Sequence, residues 1–410
     1  EHELRQSREE GRDVWALQEM WNAAKDSGLT PEELRRQAEA VLTVLDQPWS
    51  EEEPNPEPSQ WEDILALTPP VKETVKCFDL TEETELLDRL KGAWLGRAAG
   101  CLLGKPVEGK PRAWIRSILQ ASGQWPLQQY ITARGIPDEL FLEYTWHKSS
   151  AEALRETIVC MPEDDDMNYP MVNLLVAEEF GPDFTSANVM EVWLRTLPLM
   201  ALFTAERVAY INAANLFEPP DTGKVRNPYR EWIGAQIRAD FWGWMYPGNP
   251  KQAAVAAYKD AVISHRKNGI YGELFTAAMI AGAFTASSTE EIIAIGLDYI
   301  PRQSRLAQAV QWAIEIHGQE RDFERAVDCL YQKYDQYHWV HTINNAALVV
   351  LALLYGEGDF EKTICLAVMG GLDTDCNGAT VGSILGARLG AKRLPSQWIS
   401  PLNNGICTSL

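Results

Sequence analysis

The sequence lacks paired-cysteine motifs, long hydrophobic runs and an excess of basic residues. Its seven cysteines are scattered, odd in number and without any Cys-x-x-Cys spacing. This pattern excludes a disulfide framework and a zinc ribbon, and it is typical of a reduced, intracellular protein. The longest apolar stretch, residues 346–355, is too short to cross a bilayer. No signal peptide is recognisable, so we expect a cytoplasmic protein unless a leader has been removed before Glu1.

Basic side chains are outnumbered by acidic ones. The 410 residues include 58 acidic and 37 basic side chains, which gives a formal net charge of −21. Residues 1–90 hold 23 of the acids and 9 of the bases, so the remainder of the chain is only mildly acidic. Neither part has the basic field that binding to a nucleic acid backbone or an anionic membrane requires. We therefore expect no nucleic acid partner and no membrane partner.

What the sequence does contain is enough apolar material for a large helical body. Hydrophobic residues make up 46% of the chain, which suffices for the core of one large or two ordinary domains. From residue 81 onward apolar residues recur at helical spacing, and strand-like alternation is scarce. We predict an all-α, compact multi-helix bundle in which prolines such as Pro162 and Pro170 separate the segments. Amphipathic helices are predicted over residues 251–265, 274–286, 304–317, 322–333, 341–355 and 359–368.

The N-terminal part has a different composition. Residues 1–47 predict helices with a break at residues 28–33, and residues 48–58 read as an acidic, proline-rich linker. We interpret residues 1–75 as a small helical appendage and residues 76–410 as the main domain. The appendage has three open roles, namely a lid, an oligomerisation arm and a partner-binding element.

Two carboxylates stand close together near the C-terminus, where residues 370–375 read Gly-Gly-Leu-Asp-Thr-Asp. Asp373 and Asp375 fall at the junction between an apolar run and a helix-compatible segment. Oxygen donors of this kind suit hard divalent cations such as Mg²⁺, Mn²⁺ or Ca²⁺. The alternative interpretation is that Asp373 only caps the helix, because aspartate is a favoured cap.

A second acidic cluster lies about two hundred residues upstream, where residues 163–166 read Glu-Asp-Asp-Asp. Four consecutive acids repel one another, so they form either a solvated turn or a cation site. The flanking residues 160–162 and 167–172 are largely apolar, which argues against a simple solvated loop. This cluster adds Glu163, Asp164 and Asp165 to the candidate metal ligands.

Glycine recurs at every fourth position in two segments, at residues 92, 96, 100 and 104 and at residues 378, 382, 386 and 390. Glycine inside a helix costs about 1 kcal/mol relative to alanine, so such a series needs a structural reason. A helix ridge without side chains lets the backbone of another helix approach closely. We infer that both helices are central and tightly packed, and we expect them to contact each other.

These three stretches resemble the motifs of the ADP-ribosylglycohydrolase family, which includes the dinitrogenase reductase-activating glycohydrolases. In that family an opening helix of the form G-x-x-x-G-D-A-x-G-x-P-x-E precedes a T-D-D-T element and a closing G-G-D-T-D-T element. The matching positions are residues 92–108, 163–166 and 370–386, in the same order. The resemblance implies an all-α fold with two Mg²⁺ ions, often replaceable by Mn²⁺, that bind the ribose hydroxyls of an ADP-ribosyl group and a water. It also implies that Glu108 faces the scissile bond from a loop after the first helix.

Several positions depart from the family pattern. Glu163 and Asp166 stand where the family has threonines, Cys101 stands where it has an aspartate, and Cys376 replaces another threonine. A neutral thiol is a poor Mg²⁺ ligand, so either Asn377 supplies that oxygen or one metal subsite is altered. Asn377 is also a candidate substrate-binding residue. The extra carboxylates favour a metal such as Ca²⁺ and disfavour an anionic substrate nearby.

Two polar segments are candidates for substrate binding. Residues 265–273 combine two glycines with polar side chains, which predicts a ligand-facing loop that contains His265, Asn268, Tyr271 and Glu273. The alternative is an ordinary helix C-cap and turn. His341 follows in the second segment, where the lack of sulfur and of a third imidazole argues against a zinc site. A residue that orients carboxylates or sugar hydroxyls is favoured there instead.

The predicted function is metal-dependent hydrolysis of an N- or O-glycosidic bond to ADP-ribose or a related furanosyl group. Its partner would be a small-molecule glycoside or an ADP-ribosylated substrate. One alternative keeps the fold and changes the substrate to a neutral pentose or other sugar, and another is a non-catalytic binding protein. No phosphate-binding loop supports a kinase. The candidate catalytic residues are Glu108, Glu163 and Asp165, and the candidate metal ligands are Glu163, Asp164, Asp165, Asp373, Asp375 and Cys376.

Overall fold

The fold is built from helices. The computed structural model describes residues 1–47, 56–70, 78–147 and 150–410, and in these ranges it contains twenty α-helices and no strand. Isolated backbone bridges join Met161 to Ile406 and Trp232 to His341. The predicted all-α fold class is confirmed. Most of the predicted acidic linker, residues 48–55, lies outside the described residues.

The first ten helices are α1 (His2–Glu9), α2 (Trp15–Asp26), α3 (Pro31–Leu45), α4 (Trp61–Leu67), α5 (Glu83–Gly104), α6 (Arg112–Ala121), α7 (Asp165–Phe180), α8 (Ser186–Thr196), α9 (Thr204–Ala214) and α10 (Asp221–Lys224). The other ten are α11 (Ala239–Met245), α12 (Pro250–Ala261), α13 (Asn268–Ala283), α14 (Thr289–Leu297), α15 (Arg305–Gln319), α16 (Phe323–Lys333), α17 (Thr342–Gly356), α18 (Phe360–Met369), α19 (Thr374–Leu389) and α20 (Ser396–Ile399). A short 3₁₀ helix, Lys105–Val107, continues directly from α5. Among the described residues, no helix combines the length and apolar character that a bilayer crossing requires.

The centre of the fold is the antiparallel pair α5 and α19. A side chain at any of four α5 glycines would overlap a backbone carbonyl oxygen of α19, because the two backbones touch there. The pairs are Gly92 with Gly386, Gly96 with Gly382, Gly100 with Gly378, and Gly104 with Thr374. The expectation that the two glycine series pack against each other is therefore confirmed. The last pair is also hydrogen-bonded, since the Thr374 hydroxyl donates to the Gly104 carbonyl over 2.8 Å.

Helix α13 starts earlier than the sequence predicts. The segment interpreted as a loop over residues 265–273 is largely the first turns of this helix, which begins at Asn268. Every residue of α13 is buried, so its polar residues do not mark a surface loop. Asn268 is satisfied by the fold itself, because its amide nitrogen donates to Glu231 over 2.7 Å and its amide oxygen accepts from the Leu306 N–H over 3.0 Å.

Pro170 does not separate two segments, as the sequence predicts, but lies inside α7. Proline cannot donate the backbone hydrogen bond that would normally reach the carbonyl four residues earlier, which here belongs to Asp166. The Nε of Arg97 donates to that carbonyl over 2.8 Å instead. A side chain of α5 thus allows α7 to continue through the proline.

The N-terminal helices form a small core of their own from the buried side chains of Leu4, Val14, Val41 and Leu45. The predicted break at residues 28–33 is confirmed, because Thr30 and Glu33 form a capping box at the start of α3. Helix α1 also docks on the main body, where Gln6 donates to the buried Glu231 over 2.8 Å and Arg230 pairs with Glu3 and Glu10 at 2.8 and 2.7 Å. Ile64 of α4 belongs to the main core. The domain boundary near residue 75 stays a prediction.

Candidate metal centre

The N-termini of α7 and α19 bring the two acidic motifs together. Asp164 precedes α7 and accepts a hydrogen bond from the Asp166 N–H over 2.9 Å. Asp373 precedes α19, but its side chain caps no N–H of that helix. The alternative that Asp373 serves only as a cap is therefore wrong. Both positions favour negative charge, because the N-terminus of a helix carries a partial positive charge.

The turn before α19 fixes the direction of Asp373. Gly371 and Leu372 both adopt positive φ angles, 79° and 61°. The Asp373 N–H donates to the side-chain oxygen of Asn345 over 3.2 Å. The Leu372 carbonyl accepts from the Gly109 N–H over 3.3 Å, which ties this turn to the loop that carries Glu108.

The buried ligand atoms form two overlapping groups, and the atoms in each group lie within 4.8 Å of one another. The first group consists of Cys101, Asp164, Asp166 and Asp375, and the second consists of Asp373, Asp375 and Cys376. Asp375 belongs to both groups. Acids from two motifs about two hundred residues apart are therefore close enough to share cations.

Two cations already contact these acids. Arg97, which is fully buried, pairs with Asp166 at 2.8 Å and with Asp240 at 2.8 Å. Lys105 makes a short ion pair with Asp164. Burial lowers the pKa of Lys105, but the charges of Asp164, Cys101 and Asp375 and the hydrogen bond to Asp164 together outweigh burial, so that the pKa lies above its usual value. These cations neutralise only part of the acidic cluster.

The remaining acids destabilise one another in their charged forms. Burial first, and then repulsion from neighbouring carboxylates, raises the pKa of Asp373 well above its usual value and that of Asp375 to about 6. Burial and the charge of Asp164 likewise raise the pKa of Asp165. A bound divalent cation would remove this penalty, because opposite charge favours the ionised form of a carboxylate.

The donor atoms fit a hard divalent cation. The buried oxygens Oδ2 of Asp166 and Oδ1 of Asp373, Asp375 and Asn377 have no hydrogen-bond partner by distance and angle among the described residues. The Cys376 thiol lies close enough to Asp166 and Asp373 to lower their pKa slightly against the effect of burial. Carboxylate and amide oxygens are the ligands that such cations prefer, whereas the neutral thiols of Cys101 and Cys376 are poor ligands for them.

The three candidate catalytic residues have different surroundings. Glu163 is exposed and accepts hydrogen bonds from Asn168 and Ser409, both at 3.0 Å, and it belongs to neither ligand group. Asp165 is half-buried beside the cluster. Glu108 has a quarter of its side chain exposed and lies 3.4 Å from the His147 ring nitrogen. Burial, followed by the charges of Asp375 and Asp164, raises the pKa of Glu108 well above its usual value.

Asn377 lies one turn into α19, next to the acidic cluster. Its amide nitrogen donates to Asn345 over 2.7 Å, and Asn345 also holds the backbone of Asp373. The amide oxygen of Asn377 is the buried atom without a partner. The family has a threonine at the position of Cys376. The free amide oxygen of Asn377 could serve as the metal ligand that this threonine hydroxyl would otherwise provide.

The other predicted substrate-binding residues are buried in two polar networks that include none of the clustered acids. Glu273 lies 3.6 Å from Arg238, and His265 lies 4.0 Å from Glu206, the partner of Arg238. Asn268 donates to the buried Glu231, and the Tyr271 hydroxyl donates to the Pro58 carbonyl of the N-terminal segment. His341 precedes α17, where its Nδ1 accepts a hydrogen bond from the Ile343 N–H. Their role as substrate contacts stays a prediction.

The structure also places residues at the site that the sequence had not assigned to it. Cys101 and Asp166 join the ligand atoms, Arg97 and Lys105 neutralise them, and Asn345 positions the turn before α19. One signal was available, because an arginine and a lysine inside a glycine-ridged, otherwise apolar helical segment need buried acidic partners. No local pattern marks Asn345.

Comparison with known proteins identifies the family. The profile of the ADP-ribosylglycohydrolase family matches residues 82–409. A solved structure of an "ADP-ribosylglycohydrolase-related protein complex" is 20% identical over 78% of this chain and 93% of that chain, with a TM-score of 0.50, which shows a shared fold. Among curated proteins, none gives a significant match. With a family match over most of its length and the corresponding all-α fold, this chain belongs to the ADP-ribosylglycohydrolase family.

Proposed function

We propose that the protein is a metal-dependent glycoside hydrolase that cleaves an N- or O-glycosidic bond to ADP-ribose or a related furanosyl group. The observation that carries this proposal is the pair of buried ligand groups that share Asp375 and contain carboxylate oxygens without protein partners. Buried oxygens of Asp240 and Glu273 also lack a hydrogen-bond partner, but each of these carboxylates faces a buried arginine. The oxygens of the ligand groups instead converge on one another, which is costly without a cation.

The residues that would hold cations are Asp164, Asp166, Asp373 and Asp375, with Asn377 as a further oxygen donor. Mg²⁺ is the expected ion, two ions are expected by family resemblance, and Mn²⁺ or Ca²⁺ would suit the same oxygen ligands. A divalent cation here would orient the two hydroxyl groups of the substrate diol and would lower the pKa of a water molecule bound to it. Lys105 already neutralises one oxygen of Asp164, so it competes with a cation for that ligand.

The chain's own acids would supply the proton transfers. Glu108 lies at the partly exposed edge of the cluster, where its burial and its acidic neighbours favour the protonated carboxyl. A protonated carboxyl in this place is suited to give its proton to the leaving group. Asp165 and Glu163 are the candidate bases, and their position beside the ligand motif supports this role.

A second candidate is a glycosidase for a neutral pentose or other sugar. Six carboxylates surround the site, at positions 108, 164, 165, 166, 373 and 375, whereas Arg97 and Lys105 are the cations that contact them. This excess of negative charge would oppose the diphosphate of an ADP-ribosyl group at close range. A non-catalytic binding role is the third possibility.

The test is a substrate and metal panel. The protein would be incubated with ADP-ribosylated protein and with neutral furanosides in the presence of Mg²⁺, Mn²⁺ or Ca²⁺, while isothermal titration calorimetry measures metal binding. We expect hydrolysis of the ADP-ribosyl substrate that chelation abolishes. Asp375→Asn should lose both metal binding and activity, whereas Asp335→Asn, which removes an exposed carboxylate, should retain both.

The possible results separate the three candidates. Hydrolysis of neutral furanosides alone would establish the second candidate. Metal binding without turnover of any substrate would favour the non-catalytic role. Absence of metal binding by the unmodified protein would contradict all metal-dependent proposals.

A further inference from the structure

Two thiols lie side by side at the surface, outside the acidic cluster. The sulfur atoms of Cys160 and Cys407 are 3.5 Å apart, although the residues are 247 positions apart in the sequence. Both cysteines are reduced; Cys407 is exposed and Cys160 is half-buried. Their sulfurs are therefore within reach of each other and of a small reagent in solvent.

The backbone holds this pair in place. The Cys407 N–H donates to the Met161 carbonyl over 2.9 Å, and the Met161 N–H donates to the Gly405 carbonyl over 3.0 Å. These bonds form the parallel bridge between Met161 and Ile406. In this register Cys160 lies opposite Gly405, so Cys160 and Cys407 are diagonal neighbours on the two paired segments. The backbone keeps them close, and the side-chain rotations in this structure bring their sulfurs to 3.5 Å.

The residues after Cys407 reach the acidic segment. The Ser409 hydroxyl donates to the Glu163 carboxylate over 3.0 Å, and the Thr408 hydroxyl donates to Asn168 over 2.8 Å. Asn168 in turn donates to Glu163 over 3.0 Å. The C-terminal tail, residues 405–410, is thus attached to the segment that leads into Asp164.

The other cysteines of the described ranges lack this arrangement. Cys101, Cys365 and Cys376 are buried, and Cys329 is half-buried on α16, with no hydrogen bond to another thiol among the described residues. Cys77 lies outside the described residues. Among the described cysteines, Cys160 and Cys407 are therefore the pair whose sulfurs lie close to each other and are also accessible to solvent.

We propose that Cys160 and Cys407 are a redox modification site, at which a reversible disulfide fastens the C-terminal tail to the segment that carries Glu163. The sulfurs have to approach to about 2.05 Å, and residues 403–410, which are largely exposed, can make this movement without repacking the core. The proposal does not depend on the glycosidase function, because it concerns chemistry of the chain's own thiols.

The oxidant is a low-molecular-weight disulfide such as glutathione disulfide. The Cys407 thiolate, the more exposed of the two, attacks one sulfur of the oxidant, which forms a mixed disulfide and releases one glutathione thiolate. The Cys160 thiolate then attacks the Cys407 sulfur and displaces the second glutathione thiolate. The two protein sulfurs lose two electrons, the oxidant gains them, and the two protein thiol protons end on the two released glutathione molecules.

One feature sets the pH dependence of this reaction. Burial, the hydrogen bond to Cys407 and the negative charges of Cys407 and Glu152 raise the pKa of the Cys160 thiol. Since only the thiolate attacks, the second step should become faster as the pH rises towards that pKa.

The first experiment is mass spectrometry of the full-length protein after incubation with glutathione disulfide. We expect the intact protein to lose two hydrogen atoms, and we expect a peptide in which Cys160 is joined to Cys407 that dithiothreitol separates again. Cys160→Ser and Cys407→Ser should each abolish the joined peptide, whereas Cys329→Ser should leave it unchanged. A stable glutathione adduct on Cys407 without the joined peptide, or a joined peptide between other cysteines, would overturn the proposal.

The second experiment tests whether the disulfide fastens the tail. Carboxypeptidase should release the residues after Cys407 several-fold more slowly from the oxidised protein than from the reduced protein. The Cys407→Ser variant should show the same release rate before and after oxidant treatment. Equal rates for oxidised and reduced wild type would contradict the fastening role, even if the disulfide forms. Because oxidised and reduced wild type share one fold, this comparison does not depend on the folding of a variant.

Discussion

Arg97 is bonded to Asp166 twice, once through its Nε to the backbone carbonyl and once through its Nη2 to the carboxylate, both at 2.8 Å. The first bond replaces the one that Pro170 cannot donate, and the second neutralises a candidate metal ligand. A single buried guanidinium thus stabilises both the backbone of α7 and the charge at its first turn. It also links α7 to the central helix α5.

Replacement of Arg97 by methionine should strongly destabilise the protein. The substitution leaves the buried carboxylates of Asp166 and Asp240 without their cation, and removal of one partner from a buried ion pair costs about 3–5 kcal/mol. Urea denaturation monitored by circular dichroism would measure the loss. The control is Arg36→Met, which breaks an exposed pair with Glu32 and should cost less than about 1 kcal/mol. Similar losses for both variants would contradict this role of Arg97.

A methyl group at Gly100 should force α5 and α19 apart. Its carbon atom would overlap the carbonyl oxygen of Gly378, so we expect Gly100→Ala to cost about 1–3 kcal/mol or more through overpacking. Thermal unfolding would measure this effect. Gly318→Ala in α15 is the matched control, because nothing lies within 4 Å of the added atom. Gly318→Ala should be neutral or stabilising by up to about 1 kcal/mol. Equal melting temperatures for Gly100→Ala and Gly318→Ala would refute the close approach of α5 and α19.

Several features of the fold and the site could be predicted from the sequence, because they depend on local patterns. Glycine at every fourth position predicts a close helix pair, since few other features explain repeated glycine in a helix. Acids placed just before apolar helical runs predict the ligand turns at Asp164 and Asp373. The capped break at Thr30 follows from a local motif in the same way.

The remaining features depend on contacts that no local pattern encodes. Asn268 reads as a loop residue, but its partners Glu231 and Leu306 are distant in sequence and make it the start of a buried helix. Pro170 reads as a helix breaker because Arg97, its compensating donor, lies about seventy residues earlier. Tertiary contacts override local preference at both positions.

Lys105 should compete with metal ions for Asp164. In Lys105→Met the ammonium is gone, so we expect Mg²⁺ or Mn²⁺ to bind about tenfold more tightly, which corresponds to about 1.4 kcal/mol. The metal-free variant should unfold at a lower temperature than the wild type, since Asp164 loses its counter-charge. Isothermal titration calorimetry and thermal unfolding would measure the two effects. Lys91→Met, which removes an exposed ammonium from α5, should change neither, and weaker metal binding in Lys105→Met would show that Lys105 supports the site.

The thiol of Cys376 should limit the affinity for hard cations. Replacement by threonine introduces a hydroxyl oxygen next to Asp375, so we expect severalfold tighter binding of Mg²⁺. Cys376→Ala separates this effect from simple loss of the thiol, because alanine adds no oxygen and should give no gain. Calorimetric titration with Mg²⁺ would compare the three proteins. Equal affinities for the threonine and alanine variants would indicate that residue 376 does not contribute a ligand.

Glu9 should make stability depend on pH. Burial raises the pKa of Glu9 from 4.5 to about 7, although a hydrogen bond from the His338 N–H opposes this shift. Because the folded-state pKa is the higher one, the protonated carboxyl stabilises the fold fully below pH 4.5, and this contribution is lost as the pH rises through 7. In Glu9→Gln the loss, about 1–3 kcal/mol between pH 5 and pH 8, should be absent. Denaturation curves across this range would measure it, with the exposed Glu19→Gln as a control that should follow the wild type.

The direct backbone contact between α5 and α19 has a consequence for how the chain tolerates changes in length. Each residue advances an α-helix by about 100° and 1.5 Å, so one inserted residue between Asp375 and Gly378 would turn the carboxylates away from those of α7 or take the glycines out of register. Neither error can be absorbed by side-chain adjustment, because the two helices meet without side chains between them. Insertions and deletions should therefore be rejected in these two helices and accepted in the connection between α2 and α3, where Gly28 has open space around it.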